Sequence, residues 1–326
     1  MTIYIRSMAT ISPCAAPGDH PSQTEPVNPS GNRLRAIEPD YTAFIDAKQI
    51  RRMSRIVRMG VAAAVRCLRE ADEPMPGAIV TGTAYGCLED TGIFLDRLIR
   101  QKEEMLSPTS FIQSTHNTIG AQIALMLQCT HYNNTFVHRG FSFESALLDA
   151  ILLLEEGSAE TVLVGGVDET TEASHAILER FGLYRRAVAG EGAAFFLLSN
   201  RSSGKDRGQL EGLHTFYRPA SVAVIEDTIR CFLADRSMTM EEVGLVLMGT
   251  DGGLAADETD SPLKEGIFRG KECVGFKKLC GDYPTASSFA LGLAAGMLAE
   301  EKTPKRILIY THYLNIYHSL MLVSTC

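Results

Sequence analysis

The chain has 326 residues, of which 45% are hydrophobic and 21% charged, and its formal net charge is -8. This composition is typical of a globular protein that buries a sizeable core in one large or two medium domains. The absence of a basic block argues against nucleic acid as a partner, because phosphate binding requires clustered positive charge. No apolar run is long enough to span a membrane and the N-terminus is not typical of a signal peptide, so we expect a cytoplasmic protein.

The eight cysteines are scattered along the sequence. They form no C-x-x-C pair and no cysteine–histidine spacing suited to zinc. Such a distribution is expected of reduced intracellular thiols. We therefore expect no disulfide, no metal site and no bound cofactor.

The first part of the chain predicts a strand, a loop-rich segment and then alternating helices and strands. Alternation in residues 2–12 is typical of a first strand or an edge strand, whereas residues 13–40 are rich in Pro, Ser, Gly and Asn and indicate a loop. Apolar residues at helical spacing predict one long helix over 46–71, with Asp46 as its cap. Three elements follow: an apolar strand opening onto Gly82 and Gly86, and helices over 88–102 and 117–127.

Residues 133–168 have the layout of a nucleophile elbow. A short strand over 135–138 turns sharply into an amphipathic helix from about Ser142 to Glu156. An apolar strand follows from Thr161 and ends in two glycines. In such a turn the helix N-terminus stabilises a negatively charged nucleophile.

The second half of the chain repeats the alternation of strands and helices. We predict a strand over 193–199, an irregular segment over 214–219, a helix over 223–234, a strand over 244–250, a helix over 285–299 and a closing strand over 305–310. Strands that alternate with helices predict an α/β fold built in layers.

Six sequence landmarks occur in the order found in β-ketoacyl synthases of the thiolase superfamily. They are the helix at 46–71, T-G-T-x-x-G-C-L at 81–88, the S-P to N-T-I-G-A block at 107–121, the elbow, Gly-Gly-Val-Asp-Glu at 165–169 and Gly-Glu-Gly-Ala at 190–193. The chain thus resembles this family. The resemblance implies an α/β, thiolase-like fold with a duplicated five-layered αβαβα arrangement, shortened relative to typical ketosynthases, with an N-terminal half at 1–200 and a C-terminal half at 201–326.

The resemblance also locates the family's catalytic positions, and none of them keeps its side chain. The cysteine falls at Gly140, the first histidine at Gly249 and the second at Asp282, whereas the family's lysine is retained as Lys277. The family's glycine-rich gate falls at about 311–314, where its glycines are missing. Because glycine has no side chain, Gly140 cannot attack a thioester.

Other residues near these positions leave alternatives open. Cys280 and Cys87 are either nucleophiles or small buried residues. His138 and Arg139 either bind an anion, such as phosphopantetheine or a carboxylate, or form a solvated strand end. Lys277 and Asp282 fit a structural ion pair.

A second possibility for chemistry rests on carboxylates. Asp251, Asp257 and Asp282 lie near the former histidine positions, and carboxylates can act as general bases. The alternative function is therefore a divergent acyltransferase or thioester hydrolase centred on the Asp282 and Cys280 region.

Inactive members are known within the resembled family. Chain-length factors of type II polyketide systems lack the cysteine and pair with an active ketosynthase, and a similar subunit occurs in aryl-polyene clusters. The resemblance implies such a subunit, in a heterodimer with a ketosynthase or a homodimer, with acyl carrier protein as a further partner and its phosphopantetheine as a ligand of the complex. Tyr85, Phe111 and Ile112 fall at gate-like positions, where they either shape the partner's acyl tunnel or fill this subunit's own pocket. A self-associating scaffold without an acyl ligand is the remaining hypothesis.

Overall fold

A computed structural model describes residues 2–14, 29, 31–184, 187–250, 259–299 and 305–326. Its described strands form one ten-stranded sheet in the order β3-β2-β4-β5-β1-β6-β10-β9-β7-β8. The strands are β1 (Ile3–Ile11), β2 (Ala78–Gly82), β3 (Tyr132–Phe136), β4 (Thr161–Asp168), β5 (Gly192–Ser199), β6 (Gly208–Tyr217), β7 (Leu245–Met248), β8 (Glu272–Gly275), β9 (Arg306–Tyr313) and β10 (Tyr317–Ser324).

The sheet shows the internal duplication that the resemblance implies. Read outward from the centre, the first five strands follow the order 1-5-4-2-3, and β6, β10, β9, β7 and β8 repeat it. The pairing directions repeat as well: β5 is antiparallel to β1 and β4, as β10 is to β6 and β9, and the outer pairs are parallel. The thiolase-like fold is thereby confirmed, although the division at residue 200 stays a prediction about domains.

Eleven α-helices are described, and they lie in three layers. They are α1 (Ala47–Ile50), α2 (Arg55–Glu70), α3 (Leu88–Arg100), α4 (Pro108–Gln113), α5 (Thr118–Leu127), α6 (Ser142–Glu155), α7 (Glu172–Arg180), α8 (Val222–Ala234), α9 (Asp260–Glu265), α10 (Lys277–Cys280) and α11 (Ala286–Leu298). Among the described residues, no helix is both long and apolar enough to cross a membrane.

Alternating side chains on the strands produce the five layers. In β5, Phe196 points into a central core with α6 and α11, whereas Phe195 points into an outer core with α2 and α5. In β9, Ile309 points into the same central core and Leu308 into a second outer core with α8. Because successive strand residues face opposite sides, each half of the sheet is covered on both faces.

The long helix predicted over 46–71 is wrong in one respect. Asp46 caps α1 through the backbone N–H of Lys48, but the chain leaves the helix at 51–54. Met53 turns into the outer core and Ser54 takes an extended conformation at the N-cap of α2. Serine favours that position over a helix interior, which gives a physical reason for the break.

Two predictions for strands also need correction. Strand β1 is the first strand, as predicted, and it lies at the centre of the sheet, so the edge alternative is excluded. The segment at 214–219, predicted to be irregular, belongs largely to β6, which the sequence hides because its second half is exposed and polar. The closing strand runs on to Tyr313 and is followed by β10, so residues 311–313, at the position of the family's glycine-rich gate, belong to a strand.

Candidate functional site

The elbow joins β3 to α6 through a short 3-10 turn over Arg139–Phe141. Arg139 has a positive φ of 51°, and Ser142 fixes the turn: its Oγ accepts from the His138 N–H and donates to the Arg139 carbonyl, both at 2.8 Å. Gly140 is buried at the start of α6. The backbone of a nucleophile elbow is therefore present, with glycine at the nucleophile position.

Two tyrosines occupy the space that a side chain on residue 140 would need. A Cβ placed on Gly140 would lie 2.8 Å from the Cβ of Tyr313 and 2.9 Å from the Cβ of Tyr317. Carbon atoms in contact normally stay about 3.5 to 4.0 Å apart. No cysteine fits at this position unless the two tyrosines move.

The tyrosines reach Gly140 because they sit at the base of a tight hairpin. Tyr313 ends β9 and pairs directly with Tyr317 at the start of β10. Leu314 and Asn315 at the hairpin tip both have positive φ, 56° and 52°, as type I′ hairpin turns require. The Tyr313 hydroxyl also lies 3.2 Å from that of Tyr85. A hairpin thus lies at the position of the family's glycine-rich gate, whose glycines this chain lacks.

The two former histidine positions are closed in different ways. At Gly249, an added Cβ would lie 3.0 Å from the Cα of Thr311 and still closer to its Oγ1, so a side chain is excluded there too. Asp282 accepts a 2.6 Å hydrogen bond from Lys277 Nζ, which also donates to the His312 carbonyl at 2.9 Å. Lys277 and Asp282 form a largely buried ion pair that ties α10 to β9.

Glu144 is a residue of this region that the sequence analysis missed. It lies on the first turn of α6, is fully buried, and its Oε1 accepts a 2.8 Å hydrogen bond from Ser319 on β10. Glu144, Gly140 and Lys277 line a cavity of about 10 Å³, which has room for about one water molecule. The space left at the position that the resemblance assigns to the active site is far too small for an acyl thioester.

Burial raises the pKa of Glu144 to about 7, against the lowering effect of its hydroxyl neighbours. Glu144 stands between Phe143 and Ser145, and this context gives no sequence signal for a buried carboxyl. Asp168 is similar: burial raises its pKa to about 6. Its carboxylate accepts from the Ala84 N–H at 2.9 Å and from Thr285 Oγ1 at 2.8 Å. Asp168 thereby fixes the loop that carries Tyr85.

Neither of the two candidate thiols is accessible. Cys280 is completely buried, and burial raises the pKa of its thiol well above the usual value. Cys87 lies at the N-cap of α3, but burial still raises its pKa to about 12. The thiolate is the nucleophilic form, so both environments disfavour attack on a thioester. Asp251 and Asp257 lie outside the described residues.

Of the remaining candidate residues, Tyr85 faces the interior and the others are exposed to solvent. Tyr85 is half-buried and turned toward Tyr313. Phe111 and Ile112 on α4 are 57% and 63% exposed, so they do not fill this subunit's own pocket. His138 and Arg139 are exposed beside the elbow, with His138 Nδ1 3.1 Å from Ser145 Oγ. Within the described ranges, no cluster of three histidine, cysteine or acidic side chains is arranged to hold a metal ion.

One family model matches more than half of the chain. It is the model of the β-ketoacyl synthase N-terminal domain, and it matches residues 22–197. Among curated proteins, none gives a significant match.

Several solved structures share the fold over the whole chain. The ishigamide ketosynthase/chain length factor is 17% identical with a TM-score of 0.79. A type II polyketide synthase acyl-carrier protein in complex with its ketosynthase bound to the hexaketide gives 16% and 0.77. A β-ketoacyl synthase from Burkholderia phymatum STM815 gives 13% and 0.81. Each match covers 100% of this chain and 99% of the other.

Replacing Gly140 by alanine tests the packing at the elbow. Because the new Cβ would overlap both tyrosines, we expect Gly140→Ala to lower the free energy of unfolding by about 1 to 3 kcal/mol. Gly92 is the matched control: it lies within α3 with nothing within 4 Å of an added Cβ, so Gly92→Ala should stabilise the protein by about 0.5 to 1 kcal/mol. Urea denaturation measures the free energy of unfolding of both variants. An unchanged value for Gly140→Ala would contradict the packing described.

The raised pKa of Glu144 predicts a pH-dependent stability. Since the folded state holds this proton up to about pH 7, against an ordinary pKa of 4.5, the Glu144 contribution to stability falls as pH rises through this window. Glu144→Gln lacks this titration. As the pH rises from 4.5 to about 7, its free energy of unfolding should therefore increase by about 3 kcal/mol relative to that of the wild type.

The control for this prediction is Glu172→Gln. Arg33 and Arg35 lower the pKa of the exposed Glu172, so its titration lies below the window and the difference from wild type should stay flat. Equal pH profiles for Glu144→Gln and the wild type would show that Glu144 ionises normally.

Proposed function

The chain belongs to the β-ketoacyl synthase family, and we propose that it acts there as a non-catalytic, chain-length-factor-like subunit. In this proposal it pairs with an active ketosynthase and shapes the acyl tunnel of the pair, in fatty acid, polyketide or aryl-polyene biosynthesis. The observation that carries the proposal is the filled elbow: Gly140 has no side chain, and Tyr313 and Tyr317 occupy the space of one. A site that cannot hold the acyl group leaves the chemistry to a partner.

An exposed apolar face supports the pairing. Most of the large hydrophobic side chains exposed in the described part of the chain lie between residues 93 and 152. Most of them come from α3, α4, α5, β3 and α6, and these include Ile99, Phe111, Ile112, Leu125 and Leu152. Exposed apolar surface of this extent marks an interaction site. We call these five elements the apolar face.

Strand β3 lies in the apolar face and adds a second feature. It is the outermost strand of its half of the sheet, so one of its edges has no neighbour among the described strands. An open edge is a template for pairing with another chain. The proposed occupant is the ketosynthase partner, and a second copy of this chain is the alternative.

The outward position of Phe111 and Ile112 fits a role in shaping the tunnel. Large apolar side chains that project from one subunit can limit, by steric exclusion, the space available to a chain bound in the other. Tyr85 faces inward toward Tyr313, so its predicted place in the tunnel wall rests on the resemblance alone.

The proposal includes further partners of the complex. His138 and Arg139 would offer a positively charged contact for the phosphate of phosphopantetheine on acyl carrier protein. The subunit would need no cofactor of its own, and a cytoplasmic location stays part of the proposal.

A condensation assay tests the absence of catalysis. We expect the purified protein to form no product from acyl and malonyl carrier protein. Gly140→Cys should not restore activity, because the tyrosines still occupy the site. Adding its ketosynthase partner should give product that depends on the partner's cysteine. Activity of the isolated chain that disappears on Cys280→Ser, Cys87→Ser or Asp282→Asn would instead establish the divergent acyltransferase or hydrolase.

Charged substitutions test the apolar face as the site of pairing. Because a buried unpaired carboxylate is costly, Phe111→Asp and Ile112→Asp should weaken co-purification with the ketosynthase at least tenfold. Phe181, which is 76% exposed and lies beyond α7, provides the control Phe181→Asp, which should pair normally. The proposal would be contradicted if all three variants paired equally well.

A further inference from the structure

The C-terminal half of the chain buries a carboxylate that has no hydrogen-bond partner. Asp260 on α9 is only 2% exposed, and neither of its carboxylate oxygens accepts a hydrogen bond from the described residues. Buried carboxylates are normally hydrogen-bonded or paired with a cation, because an isolated charge in the interior is very costly. The surroundings of Asp260 therefore require an explanation.

An imidazole that also lacks partners lies next to this carboxylate. The Nε2 atom of His312 on β9 is 3.6 Å from Asp260 Oδ1, which is too far for a hydrogen bond. Within the described ranges, neither nitrogen of the ring has a hydrogen-bond partner. The His312 side chain is 16% exposed, so the pair lies just below the surface. A carboxylate and an imidazole thus lie side by side with no hydrogen bond between them.

The neighbouring side chains are committed elsewhere. Lys277 Nζ bonds to the backbone carbonyl of His312, but its charge is paired with Asp282 at 2.6 Å. The ring of His318 lies 5.4 Å from that of His312, and its Nδ1 is 3.1 Å from the Tyr310 hydroxyl. Burial and the adjacent His312 lower the pKa of His318 to about 4, so this ring is neutral near pH 7. The described part of the chain therefore offers the buried carboxylate no permanent cation.

The spacing of the two groups fits a metal ion. Zinc binds imidazole nitrogen and carboxylate oxygen at about 2.0 to 2.2 Å with tetrahedral geometry, so two such ligand atoms lie about 3.4 Å apart. The 3.6 Å between His312 Nε2 and Asp260 Oδ1 is close to this separation. Imidazole nitrogen suits transition metals, and carboxylate is a further zinc ligand. We propose that Asp260 and His312 bind a divalent transition-metal ion such as zinc.

The two side chains are the protein's share of the coordination sphere. No third histidine, cysteine or acidic side chain of the described residues completes a set with them, so water fills the other positions from the exposed side of His312. The ion joins α9 to β9 one residue before Tyr313. It thereby braces the hairpin whose tyrosines pack against Gly140. This inference goes beyond the proposed function and does not depend on it.

Zinc binding to the full, chelator-treated chain tests the site. We expect a single equivalent of zinc to bind in isothermal titration calorimetry and to raise the Tm, because a ligand of the folded state stabilises it. Asp260→Asn and His312→Gln should each weaken zinc binding at least tenfold. The matched controls are Asp235→Asn and His214→Gln, which change exposed residues of the same types in the same half of the chain and should bind zinc as the wild type does.

A second readout separates a metal site from a purely structural ion pair. In the metal-free protein, Asp260→Asn removes a buried carboxylate that has no partner, so its Tm should equal or exceed that of the wild type. Breaking a buried ion pair would lower the Tm instead. Circular dichroism confirms that each variant is folded.

Three results would each overturn the inference: no zinc binding by the wild type, equal zinc binding by all four variants, or a lower metal-free Tm for Asp260→Asn. None of them bears on condensation activity or on co-purification with a ketosynthase, so the proposed function is tested separately.

Discussion

The packing of Tyr313 and Tyr317 against Gly140 determines that residue 140 carries no side chain. It forms where the two halves of the duplicated fold meet, with the elbow on one side and the β9–β10 hairpin on the other. Glycine is required because any Cβ would overlap the Cβ atoms of both tyrosines, and the tyrosines fit there because residue 140 has no side chain. The glycine and the two tyrosines therefore depend on each other. A cysteine introduced at residue 140 alone would therefore meet both tyrosines.

Other side chains fill the remaining space around Gly140, Tyr313 and Tyr317. Thr311 closes the space at Gly249, and the Lys277–Asp282 pair bonds to the backbone of His312, next to Tyr313. Glu144 sits beneath the elbow as a buried carboxyl that bonds to Ser319. A buried carboxyl avoids the large cost of ionisation only by keeping its proton. The region around Gly140 is thus a small polar core between the two halves of the sheet.

The sequence predicted the architecture better than the site. Helices such as α6 and α8 and the central strands were predictable because their apolar residues recur at the spacing of one buried face. The outer half of β6 was missed because its exposed residues give no such pattern, and β10 because the resemblance placed a loop before it. The resemblance located Gly140, but the sequence could not show what fills the space around it. Tyr313 and Tyr317 lie far from Gly140 along the chain, and the β9–β10 hairpin brings them to the elbow.

A non-catalytic subunit of the kind proposed holds no acyl group covalently. The most direct test is intact-protein mass spectrometry after incubation with an acyl thioester. Transfer of the acyl group to a protein thiol would release the donor thiol and add the acyl mass to the chain. We predict an unchanged mass for this protein and a single acyl addition on an active ketosynthase treated in parallel. A stoichiometric acyl adduct on any cysteine of this chain would contradict the account.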